Sequence, residues 1–128
     1  AQAGHEVTLA TGQWQGAVTG LDGPFRRGVR EGGVSGFHVV EFAIPCTNAM
    51  GLAARTLAFL RYAWAATRLA WRGRWDLVIA SSTPLTVVLP ALAALRRGTP
   101  FLFEMRDPWP ELPRALGLTN ALALGAME

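Results

Sequence analysis

The 128-residue chain has no lysine and a single cysteine, and charged residues make up only 16% of it. Hydrophobic residues make up 51%, a composition that excludes a wholly disordered chain. The twelve basic residues are all arginine, and the formal net charge is +3. The lone Cys46 cannot form an internal disulfide, so nothing points to an oxidising compartment, and we expect it to be buried.

Several functional signatures are also missing from the sequence. It has no glycine-rich dinucleotide turn, no phosphate-loop lysine, no nucleophile elbow and no His/Cys cluster with metal-ligand spacing, so no metal site is expected. No basic stretch is interleaved with aromatic residues as in nucleic-acid-binding modules, so we expect no nucleic-acid partner.

Nothing in the sequence has the pattern of a signal peptide or a membrane span. The longest apolar stretch, residues 50–71, contains Arg55, Arg61 and Arg68. Each arginine costs roughly 2.5–3.5 kcal/mol near a bilayer centre on insertion scales. We therefore expect a cytoplasmic protein.

Predicted strands and helices alternate along the chain. Strands are predicted at residues 5–11, 37–44 (ended by Pro45), 76–80 and 100–105, and helices at 50–72, at 84–97 and from 120 onwards. Residues 12–36 hold eight of the fourteen glycines and are predicted to form a long loop. This order predicts an α/β fold, a Rossmann-like three-layer arrangement around a parallel sheet.

The two ends predict a domain that is incomplete on both sides. Residues 1–4 have the pattern of a last helical turn stopped by Gly4, and the helix predicted from residue 120 is unfinished at Glu128. A missing first strand would expose a sheet edge, so we expect that this chain can self-associate.

The helix predicted at residues 50–72 allows two interpretations. Arg61, Arg68 and Arg72 fall within about 40° of one another at 3.6 residues per turn. This pattern is typical of a helix packed on a sheet with a solvated arginine stripe, or of an amphipathic contact with an anionic membrane or a partner. Trp64 and Trp71 fit either interpretation.

Polar residues follow two of the predicted strands, at the edge of a parallel sheet where ligands bind. Ser81, Ser82 and Thr83 precede a predicted helix, where hydroxyls and backbone amides attract an anion such as a phosphate. Helix capping by Thr83, with no ligand, explains the same pattern.

Residues 104–111 form the second polar strand end. They contain three acids, one arginine and one tryptophan, and Pro108 and Pro110 stiffen them. Strand alternation turns Glu104 and Arg106 to one side, which predicts an ion pair between them. Asp107 can accept hydrogen bonds from a sugar or act as a base, and Trp109 can stack on a sugar ring. This composition favours a functional loop over a core element.

Three motifs together resemble the N-terminal domain of retaining GT-B glycosyltransferases of family four. They are residues 4–8 with Thr11 and Gly12 (GHEVT, TG), residues 76–84 (DLVIASSTP) and residues 103–111 (FEMRDPWPE). The resemblance covers essentially the whole chain, and it is closest to the bacterial branch that builds surface polysaccharides.

The resemblance implies transfer of a sugar from a nucleotide donor, commonly UDP-linked and without a further cofactor, to a saccharide or lipid-linked acceptor at the inner membrane face. This domain would hold the acceptor, while a C-terminal domain would bind the nucleotide sugar through a Glu-x7-Glu motif. That motif is absent here, since Glu104 and Glu111 are seven apart.

By position, Arg106 and Asp107 match the family's catalytic His-Asp pair, with arginine in place of histidine. The resemblance therefore implies catalytic roles for these two residues. Substrate-binding roles are implied for the polar residues around them, namely Ser81, Ser82, Thr83, Glu104, Trp109 and Glu111.

Two other functions remain open at this point. One is another nucleotide-sugar-using or NAD-using Rossmann enzyme, although the glycine fingerprint of that class is missing. The other is a non-enzymatic module that binds a membrane or a partner through the helix at residues 50–72.

Overall fold

The computed structural model describes residues 4–82 and 84–106, which form five strands, two α-helices and one 3₁₀ turn. The strands lie in two sheets, one with the order β1-β3-β2 and one in which β4 pairs with β5. Strands and helices alternate after β3, as the sequence predicts for an α/β fold.

The larger sheet is built around β3 (Phe37–Cys46), which pairs in parallel with β1 (Thr8–Trp14). The register shifts between Thr11 and Gln13, and Pro45 lies opposite Gln13 after this shift. The sequence predicted that Pro45 ends the strand, but β3 continues to Cys46. Proline is tolerated in strands at such irregularities.

The predicted loop at residues 12–36 is correct only in part, because β1 continues to Trp14 and the second half of the segment contains β2 (Val29–Val34). β2 pairs with β3 in antiparallel fashion through a two-residue turn, Ser35-Gly36, where both residues have positive φ (50° and 83°). Such turns match the twist of a hairpin, and glycine adopts the conformation without strain. This hairpin makes the sheet mixed, so an all-parallel sheet is not confirmed.

Helix α1 (Leu52–Arg72) covers one face of the larger sheet, close to its predicted bounds. The side chains of β3 that face it are Val40, Phe42, Ile44 and Cys46, all buried. Tyr62 of α1 packs edge-on against Phe42, with ring centroids 5.9 Å apart. The predicted burial of Cys46 is confirmed.

The smaller sheet pairs β4 (Val78–Ser81) in parallel with β5 (Phe101–Glu104). Between these strands run a 3₁₀ turn (Leu85–Val87) and helix α2 (Val88–Arg96), which packs on α1 and on both strands. Gly98, with φ of 82°, stands just after the end of α2, as the sequence predicts.

The β4–β5 sheet is not buried on both faces, because Ile79 is 64% exposed. Within the described part of the chain, β1 and β4 are not hydrogen-bonded to each other. Residues of both strands line a cavity of about 640 Å³. The prediction of a single three-layer parallel arrangement is therefore not confirmed, although two of the three strand pairs among the described residues, β1–β3 and β4–β5, are parallel.

No helix among the described residues is long and apolar enough to cross a membrane.

Candidate functional site

The ends of β4 and β5 bring the predicted polar residues together. The Ser81 hydroxyl donates a hydrogen bond to the Glu104 carboxylate, with 2.5 Å between Oγ and Oε2. Ser81 and Glu104 are direct neighbours in the parallel register, so the pairing of the strands sets this contact. It ties the two strand ends together and leaves the carboxylate exposed.

Ser82 is the buried member of this cluster, with 3% of its surface exposed. Its hydroxyl oxygen accepts a hydrogen bond from the backbone N–H of Arg106 at 2.8 Å, and its own N–H donates to the Glu104 carbonyl at 2.8 Å. Ser82 therefore holds the backbone just after β5 and sets where the following segment leaves the sheet.

The predicted ion pair between Glu104 and Arg106 is wrong. The described part of the chain has two ion pairs, Arg30 with Glu41 and His38 with Glu31, and neither involves these residues. The Glu104 carboxylate pairs with the Ser81 hydroxyl, and the Arg106 side chain lies at the cavity between β1 and β4. The strand ends at Glu104, so the alternation that would place the two side chains together does not continue to Arg106.

Four of the predicted site residues, Thr83, Asp107, Trp109 and Glu111, lie outside the described residues. Of the predicted set, the structure therefore brings together Ser81, Ser82, Glu104 and the backbone of Arg106.

The cavity between β1 and β4 reaches this cluster. Ser81, Ser82 and Arg106 line one part of it, and Tyr62 and the backbone of β1 line another. The Tyr62 hydroxyl donates to the Ala10 carbonyl at 3.0 Å, and burial raises the pKa of Tyr62 above its ordinary value. A neutral phenol is therefore maintained at this wall of the cavity.

A second polar cluster, in the larger sheet, was not foreseen from the sequence. The buried Glu41 carboxylate receives Nε and Nη2 of Arg30 at 3.0 and 3.1 Å, together with the hydroxyl of Thr19. Burial by itself raises the pKa of Glu41, but these hydrogen bonds and the charge of Arg30 outweigh it and lower the pKa.

The Glu41 cluster fastens the segment before β2 to the sheet. Arg30 and Glu41 are direct cross-strand neighbours, and Arg30 also lies over the ring of Phe25, 4.7 Å from its centroid. In the sequence, the position of Glu41 among the apolar residues of β3 was the available signal of a buried acid. Its partner, Arg30, could be identified only from the β2–β3 register.

No group of His, Cys, Asp or Glu residues within residues 4–82 and 84–106 is arranged to hold a metal ion. His38 has 51% of its side chain exposed, and its Nε2 lies 3.6 Å from the Glu31 carboxylate.

Comparison with known proteins agrees with the α/β fold. A family model described as a glycosyl transferase 4-like domain matches residues 1–126. No curated protein and no solved structure matches the chain. The protein thus contains a glycosyltransferase domain, and the chain belongs to the glycosyl transferase 4-like family.

Proposed function

We propose that this domain takes part in transfer of a sugar from a nucleotide-sugar donor to a saccharide or lipid-linked acceptor, and that it binds the acceptor. Family membership supports glycosyl transfer in general. The observation that supports the acceptor role is the cluster of hydroxyl and carboxylate groups where β4 and β5 end, beside a cavity that Arg106 also lines. Carboxylates and hydroxyls accept and donate the hydrogen bonds that sugar hydroxyls need.

The described residues have distinct roles in this proposal. The exposed carboxylate of Glu104, oriented by Ser81, accepts a hydrogen bond from an acceptor hydroxyl. Ser82 positions the backbone from which Arg106 and Asp107 extend. Arg106 stabilises negative charge on the departing nucleotide or on the bound substrate, and Asp107 orients or deprotonates the attacking hydroxyl.

The resemblance to retaining enzymes of surface-polysaccharide synthesis supports the finer parts of the proposal. The donor is a UDP-sugar bound by a second domain, no separate cofactor is used, and Thr83, Trp109 and Glu111 complete the acceptor site. The protein acts in the cytoplasm, in peripheral contact with the inner membrane face where lipid-linked acceptors are found.

Transfer measured in the protein that joins this domain to its nucleotide-sugar domain tests the roles of the residues. Asp107→Asn and Arg106→Ala each lower kcat sharply without lowering the unfolding midpoint, because their contacts are with substrate. Glu104→Gln raises the KM for acceptor more than it lowers kcat, whereas the exposed Glu31→Gln is the matched control. Unchanged kinetics in Asp107→Asn and Arg106→Ala would remove both catalytic assignments.

A second candidate is a nucleotide-using enzyme of another class, and its test is direct. Titration of the chain with NAD, followed by tryptophan fluorescence, is expected to show no saturable binding. Saturable NAD binding at micromolar concentration would favour that class over acceptor binding.

A further inference from the structure

Helix α1 carries large apolar side chains on its outer face as well as on its core face, where Tyr62 packs. The residues facing the sheet and α2 are mainly small, with Ala58, Ala63, Ala66 and Ala70 all buried. The large apolar residues Leu57, Leu60, Trp64 and Trp71 are 58%, 51%, 64% and 47% exposed. Exposed apolar surface of this kind, grouped on one element, marks an interaction site.

These four residues form one continuous stripe. Their spacings of three, four and seven residues place them within about 60° of one another around a helix of 3.6 residues per turn. We call this surface the outer stripe of α1, comprising Leu57, Leu60, Trp64 and Trp71.

A row of arginines runs beside the outer stripe. Arg61, Arg68 and Arg72 lie on one flank, and α1 contains no acidic residue. With Arg27 they line a groove of about 890 Å³ between α1 and β2–β3, where Glu31 is the one acid among the described residues. The guanidinium of Arg68 lies over the Trp64 ring, 4.7 Å from its centroid, and that of Arg97 lies 5.5 Å from the centroid of Trp71.

The outer stripe and the arginine row together indicate what kind of partner this surface binds. Unopposed arginines attract anions, and the guanidinium group binds phosphate oxygens in bidentate fashion. Tryptophan is favoured at the level of lipid headgroups, where its ring is apolar and its N–H remains hydrated. Leucines beside them would enter the boundary of the acyl chains, as in helices that lie in the membrane plane.

We propose that the outer stripe of α1 and its arginine row bind the surface of an anionic phospholipid bilayer, with the helix axis parallel to the membrane. The inference rests on the proposed function only in placing the domain at a membrane, and it assigns that contact to named residues. The complementary charge of the arginine row favours this occupant over a second copy of the same basic surface.

Co-sedimentation of the chain with vesicles tests the assignment. The chain binds vesicles of phosphatidylcholine mixed with phosphatidylglycerol, binds pure phosphatidylcholine far more weakly, and is released by salt. Arg68→Gln lowers the partition coefficient about fivefold, equivalent to about 1 kcal/mol per basic residue near the surface. The exposed Arg26→Gln, which makes the same charge change outside α1, has a smaller effect.

Two further variants separate the apolar contribution from the charge. Leu60→Ser weakens binding to the mixed vesicles, whereas Val18→Ser, at a position that is 92% exposed outside this surface, does not. Circular dichroism confirms that the variants are folded.

Equal binding to neutral and anionic vesicles, or loss of binding in the two control variants alone, would overturn the proposal. Absence of vesicle binding with a concentration-dependent dimer that Leu60→Ser dissociates would assign the stripe to a second copy instead. Saccharide binding by the same chain is measured without lipid. A negative result with vesicles therefore leaves the acceptor site to be tested separately.

Discussion

At the scale of single residues, polar side chains inside this domain are held by partners that lie far away in the sequence. Glu41 is satisfied by Arg30 and Thr19, and Ser82 by the backbone of Arg106. Buried polar groups that lack such partners are costly. These contacts therefore fix the hairpin and the strand-end cluster as much as the apolar core does.

Removing the partner of the buried Glu41 carboxylate should destabilise the domain. Arg30→Met leaves a carboxylate that is 3% exposed without its cation, and we expect a loss of about 3 kcal/mol in the free energy of unfolding. Urea denaturation at neutral pH measures this loss. The exposed Arg26→Met is the control and should change stability by less than about 0.5 kcal/mol.

The lowered pKa of Glu41 also makes stability depend on pH. A carboxyl group whose pKa is lower in the folded state adds stability above its unfolded value, near 4.5, and loses it as the pH falls through the folded value. The unfolding free energy should therefore fall below about pH 4.5, and less steeply in Glu41→Gln. Equal slopes in the two proteins would show that Glu41 does not contribute to the acid limb.

At the scale of elements, the sequence predicts those whose pattern is local. The bounds of α1 could be predicted because its long apolar segment contains no proline, and Gly98 marks the end of α2. β2 was missed because its two glycines and Arg30 are typical of a loop, and its strand conformation depends on pairing with β3. The ion pair expected between Glu104 and Arg106 failed for a similar reason, because the strand ends at Glu104.

Small residues allow α1 and α2 to pack closely, and enlarging one should disturb this contact. Ala91 in α2 is fully buried, so Ala91→Leu overfills the core and should cost about 2 kcal/mol. Leu92→Ala, at a position that is 42% exposed, is the control and should change stability little. Thermal unfolding compares the two variants. Equal unfolding midpoints would mean that α1 and α2 can move apart to accommodate the larger side chain without loss of stability.

At the scale of the whole molecule, the two sheets leave apolar side chains in contact with solvent. Leu9 of β1 and Ile79 of β4 are 54% and 64% exposed, and both line the cavity between the sheets. Among the described strand-end residues, Ser81, Ser82 and Glu104 lie together because the ends of paired parallel strands meet at one edge. Sequence reasoning could not foresee the division into two sheets, which depends on pairing between distant strands.

These exposed strands should make the chain associate with itself. Available backbone edges and apolar side chains favour strand pairing between molecules. Sedimentation velocity should show that the fraction of dimer increases with protein concentration. Ile79→Lys should lower this fraction. A monomer at every concentration would show that the strands do not pair between molecules.

The central claim, an acceptor site where β4 and β5 end, is tested most directly by mapping amide chemical shifts during titration of the chain with N-acetylglucosamine and short oligosaccharides containing it. The account predicts saturable shifts at Ser81, Ser82, Glu104 and Arg106, with none at His38 in β3. These shifts should weaken in Glu104→Gln. Saturable shifts confined to other surfaces, or no response to any saccharide, would contradict it.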